Sequence, residues 1–146
     1  MLKVTEIQAL GQGRMSPTQM LPLYSESVQA GFPSPAQDHI EKKLDLNDYL
    51  VSHPVATFFV RVQGDSMREA NIHSGDILIV DRALEAVSGK IIVAVLNGEF
   101  TVKRLKRENG EVWLLPENDD FDPIPITPES DFEVWGVVTW VIHKAQ

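Results

Sequence analysis

Apolar and polar positions follow two regimes along the chain. From Pro54 onward, short apolar runs alternate with turn-forming residues, which is the pattern of strands. Ala56–Val62 (ATFFVRV) is aromatic and β-branched, and Ile77–Val80 (ILIV) is a short run of the buried type. Ile91–Leu96 (IIVAVL) and Glu99–Leu105 (EFTVKRL) flank Asn97-Gly98. That dipeptide predicts a two-residue hairpin loop, because a type I′ turn needs positive φ at both central positions. Asn109-Gly110 repeats the signal between Leu105 and Val112–Leu115 (VWLL). Phe132–Ile142 reads as a long closing strand, bulged at Gly136. The expected fold is mainly β: a curved antiparallel β domain.

The two loops fix the register by counting. Leu96 pairs with Glu99, so Ile92 stands opposite Lys103, and Ala94 and Thr101 share that face. Leu105 then faces Leu114 on the same side. Lys103 is the one charge among Ile92, Ala94, Leu105 and Leu114.

The first 45 residues differ. Pro17, Pro22, Pro33 and Pro35 interrupt every candidate element, and no apolar period is sustained. The reading is an extended, flexible N-terminal arm over residues 1–45 and a β-rich domain over 46–146. Short helices are expected near Ala36–Leu44 and Leu46–Leu50, with Asp45 or Asp48 as a cap. No internal repeat is evident.

Composition narrows the chemistry. Hydrophobic residues make up 43% of 146, enough to build one core. The absence of cysteine removes disulfides, thiol nucleophiles and thiolate metal sites. No histidine spacing suggests a metal site. A net charge of −8 argues against direct, specific DNA binding, which normally needs a basic excess. No apolar run approaches the length of a membrane helix, and Met1–Gly13 lacks a signal-peptide pattern, so a cytoplasmic protein without a membrane anchor is expected.

Two side chains stand out. Gly64-Asp65-Ser66-Met67 (GDSM) directly follows the first strong strand. It reads as a plain turn, or as a turn that projects a serine beyond the sheet for nucleophilic attack. A serine hydroxyl needs a base. None of His39, His53, His73 and His143 forms an evident Ser-His-Asp set, and His73 reads as solvated. Lys103 is the other option. It is either a lysine snorkelling at the rim of its face or a buried amine whose lowered pKa suits it to take a proton from serine.

The strings VQAGFPSP, GDSM, GDILIVD and GEFTVKRL, in that order, resemble the self-cleaving Ser-Lys peptidases of the LexA and UmuD type, most closely the UmuD branch of SOS mutagenesis proteins. The resemblance spans nearly the whole chain. It implies a LexA/signal-peptidase-like β fold, Ser66 as nucleophile, Lys103 as base and Ala30-Gly31 as the scissile bond. It further implies a homodimer that cleaves its own arm with the help of a RecA–single-stranded DNA filament. The truncated form then serves as accessory subunit of an error-prone Y-family (UmuC-like) translesion DNA polymerase. Gly75-Asp76 matches a second family motif, read as structural. The implied chemistry needs no cofactor or metal. LexA-type repressors carry a helix-turn-helix domain before the cut, whereas only 30 residues precede Gly31 here (31 − 1). Two other readings remain open: a non-catalytic binding module with a docking arm, and a Ser-Lys peptidase acting on other proteins.

Overall fold

The computed structural model describes residues 3–6, 20–24 and 40–146. Strands β1 (Lys3–Glu6), β2 (Met20–Tyr24) and β3 (Ile40–Asp45) precede a five-residue helix, α1 (Leu46–Leu50). Then follow β4 (Thr57–Gln63), β5 (Ile77–Asp81), β6 (Ile91–Leu96), β7 (Glu99–Glu108), β8 (Glu111–Leu115), β9 (Ile124–Ile126) and β10 (Phe132–Ile142). The expectation of a mainly antiparallel β domain is met.

Eight strands form one sheet in the order β1-β4-β5-β10-β6-β7-β8-β9. β1 also pairs with β7, with Lys3 opposite both Gln63 of β4 and Thr101 of β7. The pairings β1-β4-β5-β10-β6-β7 therefore return on themselves, and the sheet must curve to close them. β2 and β3 form a separate two-stranded ribbon.

Both Asn-Gly turns form as expected. Asn97 and Gly98 have φ of 50° and 81°, and Asn109 and Gly110 have φ of 53° and 77°. Ile92 stands opposite Lys103, Ala94 opposite Thr101, and Leu105 opposite Leu114. The bulge at Gly136 is also present: Val134 pairs with Ala94 and Gly136 with the adjacent Val93, leaving Trp135 as the extra residue. A Cβ on Gly136 would lie 2.6 Å from Val80 Cγ1, so only glycine fits under that neighbour. Trp135 swings out to contact Phe58 and Phe100, with the Arg82 guanidinium over its ring.

One local expectation is corrected. Ile40–Asp45 is a strand, so the helix expected near Ala36–Leu44 does not occur over its described part. Pairing with β2, with Leu21 opposite Leu44, overrides the modest helical preference of EKKL. Helix α1 does form, capped by the Asp45 carboxylate, which accepts from Asn47 N–H at 3.0 Å.

Two buried clusters make the core. One joins Val60, Val62, Met67, Ile72, Leu78, Val80, Val93 and Val102. The other joins Ile92, Ala94, Leu105, Leu114 and Val137. Met67 thus anchors the turn after β4 from beneath, and β7 contributes to both clusters. Burying eight such side chains stabilises the first cluster by roughly 1.5–3 kcal/mol each before the entropic cost of ordering them. This rigid packing holds the end of β4 and the middle of β7 in fixed relation.

Candidate active site

Ser66 and Lys103 lie 37 residues apart in sequence and meet in space. Lys103 Nζ donates to Ser66 Oγ at 3.1 Å, to Thr101 Oγ1 at 2.8 Å and to the Val102 carbonyl at 3.0 Å. An ammonium has three N–H donors, and each of these contacts is a donation from it. All the named side chains are buried: relative exposure is 0% for Ser66, 1% for Lys103 and 2% for Thr101. Lys103 is not a snorkelling rim residue. Burial lowers its pKa from the usual 10.5 to about 8.

Strand alternation explains its position. Thr101, Lys103 and Leu105 project to one face of β7, where Ile92, Ala94, Leu105 and Leu114 pack. That face is apolar, so it disfavours the charged amine. The same period places Thr101 two residues before the lysine, where its hydroxyl reaches Nζ.

The Ser66 turn has its own causes. Gly64 takes φ of +96°, a conformation that favours glycine and turns the chain sharply at the end of β4. Arg68 N–H donates to the Asp65 carbonyl, and Ala70 and Ile72 N–H both donate to the Met67 carbonyl. Buried Met67 anchors this knot. Ser66 is therefore presented on a braced turn beside the strand that carries Lys103.

Deprotonation of Lys103 changes what this cluster can do. A neutral amine keeps two N–H groups and gains a lone pair. Of these three partners, the Val102 carbonyl can only accept, whereas either hydroxyl can donate to the lone pair. With Thr101 accepting as it does here, the lone pair faces Ser66 O–H and can take its proton.

Among the described residues, three histidines are engaged elsewhere. His53 Nδ1 lies 2.6 Å from Asp81, and His143 Nδ1 lies 2.6 Å from Asp76. The His73 ring lies 5.2 Å from that of His143, tilted by 49°, and is partly buried rather than fully solvated. Gly75 and Asp76 shape the turn into β5: Gly75 (φ +94°) donates to the Val62 carbonyl, and the Asp76 carboxylate accepts from His73 N–H.

Sequence reasoning placed Thr101 on the correct face but gave it no role. It also missed Glu117 and Asn118, whose contacts with the Ser66 turn have no local sequence signal. An open cavity of about 460 Å³ is lined by Leu96, Asn97, Glu99, Phe100, Thr101 and Ile124. Ala30 and Gly31, the expected scissile pair, lie outside the described residues, as does His39.

The Peptidase S24-like family profile matches residues 22–139. Protein MucA of Salmonella typhimurium is 45% identical over 139 residues, covering 94% of this chain and 92% of MucA. Protein SamA of the same organism is 47% identical over 125 residues, covering 86% of each chain. The LexA repressor of Bordetella parapertussis is 43% identical over 124 residues, covering 85% of this chain and 56% of the repressor.

Proposed function

Because this chain belongs to the Peptidase S24-like family, we propose that it is a self-cleaving serine endopeptidase that cuts its own Ala30–Gly31 bond. The observation that carries this reading is the buried contact of Lys103 Nζ with Ser66 Oγ at 3.1 Å. Neutral Lys103 takes the Ser66 proton as Oγ attacks the Ala30 carbonyl carbon. The tetrahedral adduct collapses, the Ala30–Gly31 C–N bond breaks, and the lysine proton passes to the leaving Gly31 nitrogen. An ester links Ala30 to Ser66. Water, deprotonated by the again-neutral lysine, hydrolyses that ester and restores the serine. The chain supplies both nucleophile and base. Because the substrate is tethered, effective molarity takes the place of binding affinity.

The pH dependence follows from the direction of the Lys103 shift. Only the neutral amine is a base, and its pKa is lowered to about 8. At pH 7 about a tenth of the molecules carry a neutral lysine, against fewer than one in a thousand for a free side chain. Unassisted cleavage should rise nearly tenfold per pH unit up to pH 7 or so and level off above the lysine midpoint of about 8. A rate independent of pH from 6 to 10 would contradict the assignment of the base.

The same reading makes the cytoplasmic protein a homodimeric SOS mutagenesis factor. A RecA–single-stranded DNA filament assists cleavage, and the product joins a Y-family, UmuC-like translesion polymerase. Similarity to MucA, SamA and the LexA repressor supports this placement. Exposed apolar side chains support the dimer: the Tyr49 and Trp140 rings lie 5.2 Å apart, tilted by 42°, and Leu46 and Ile142 are also exposed. Residues 1–45 are the arm and 46–146 the peptidase domain. Strands β4–β10 keep a continuous ladder without residues 1–30, although that truncation removes β1, which pairs with β4 and β7, and β2, the partner of β3. A chain starting at Gly31 should therefore melt cooperatively and sediment as a dimer at micromolar concentration. A molten product or a monomer would contradict this part of the reading.

A further inference from the structure

The loop between β8 and β9 reaches back to the Ser66 turn. Glu117 N–H donates to the Ser66 carbonyl at 2.7 Å, and Glu69 N–H donates to the Glu117 carbonyl at 2.8 Å. The next side chain, Asn118, is 4% exposed. Its Nδ2 donates to the Asp65 carbonyl at 2.9 Å, and its Oδ1 accepts from Asp120 N–H at 3.0 Å. Two successive carbonyls of the turn, those of Asp65 and Ser66, are thus held by two successive residues of a loop more than 50 positions away. The loop is in turn tied to β7: the Glu117 carboxylate is paired with the Arg104 guanidinium. Arg104 also donates to the Gly89 carbonyl at 2.7 Å and directly follows Lys103. A continuous set of contacts runs from the strand bearing the lysine, through Arg104, Glu117 and Asn118, to the backbone bearing the serine.

We propose that Glu117 and Asn118 form a strap that fixes the Ser66 turn against β7, and that Asn118 is a positioning residue for the nucleophile. The physical case is geometric. The Ser66–Lys103 contact is a single 3.1 Å hydrogen bond between two elements distant in sequence. A displacement of about 1 Å between reacting groups costs on the order of a hundredfold in rate. Asn118 can act here because its amide offers both a donor and an acceptor at one buried point, which no aliphatic side chain of that size does. The strap touches neither reacting atom.

The proposal rests on the self-cleavage reading, and its test separates the two. Intact-mass kinetics would be followed across pH for the full-length parent, Asn118→Asp, Glu117→Ala and Glu117→Gln, with a thermal melt of each. Asn118→Asp keeps size and the acceptor for Asp120 but replaces the donor to Asp65 with a carboxylate oxygen. It should lower the plateau rate at least about tenfold, and the carboxylate it adds beside the Ser66 turn should move the alkaline midpoint upward, because a nearby negative charge favours the Lys103 ammonium. Glu117→Ala should slow the plateau several-fold, and Glu117→Gln, which still accepts from Arg104, should recover most of it. A purely structural role predicts lower melting temperatures with parental rates in the folded protein. Variants that fold and cleave at the parental plateau overturn the strap. If Asn118→Asp does not fold, the Glu117 pair decides: equal rates for the alanine and glutamine variants overturn the proposal. A parent that never cleaves removes the self-cleavage reading and the strap's role with it.

Discussion

Changing Ser66 to alanine is expected to abolish self-cleavage at every pH, and changing Lys103 to alanine is expected to slow it by about two to four powers of ten. The first change removes the attacking oxygen. The second removes the amine that sits 3.1 Å from it and that the proposed mechanism uses as base. The residual rate of Lys103→Ala should also lose its rise toward pH 8, because the group that titrates there is gone. Both proteins should fold. In Lys103→Ala two effects oppose each other. The folded state no longer holds a desolvated amine. That amine's lowered pKa makes the parent less stable at neutral pH, a cost relieved only as pH rises from about 8 through the unfolded value of 10.5. Against this, Thr101 and the Val102 carbonyl lose a hydrogen-bond donor, and the shorter side chain leaves space behind. Each effect is of order 1–3 kcal/mol. Gel or mass kinetics on the two variants, with a melt as control, check the prediction. Parental rates for folded Lys103→Ala would remove lysine as the base.

Gly31→Trp is expected to block cutting by at least about a hundredfold. Ser66 and Lys103 are both almost fully buried, so a peptide bond cut by this pair must approach closely. A glycine after the cut has no Cβ to obstruct that approach. An indole there would keep the Ala30 carbonyl away from Ser66 Oγ. The substitution lies outside β4–β10, so the melt should match the parent. Cleavage of Gly31→Trp at the same bond and the parental rate would contradict the assignment of the scissile site.

Much of the part of the fold that carries Lys103 was legible because Asn-Gly turns favour short loops. Two such loops set the register of β6, β7 and β8, and from that register the burial of Lys103 followed. Gly136 marked its bulge, and Asp45 marked the start of α1. Other elements were hidden for identifiable reasons. β3 carries three consecutive charged residues, Glu41, Lys42 and Lys43, and is a strand only because β2 pairs with it. β2 and β9 each contain a proline, which reads locally as a breaker. Both are tolerated on edges: β9 ends the large sheet, and β2 has β3 as its single partner, so neither proline is required to donate on both sides. β1 joins the sheet through pairings with β4 and β7 that lie tens of residues away. The contacts of Glu117 and Asn118 with the Ser66 turn are long-range loop contacts, and no period or spacing announces them.

The most direct measurement is the intact mass of the pure 146-residue protein after incubation about one pH unit above the Lys103 midpoint, alone and with RecA, single-stranded DNA and a nucleotide analogue. The account predicts two new species, residues 1–30 and residues 31–146 (116 residues, 146 − 30), formed faster with the filament and absent in Ser66→Ala. An unchanged mass under both conditions, or a cut at another bond that persists in Ser66→Ala, would contradict it.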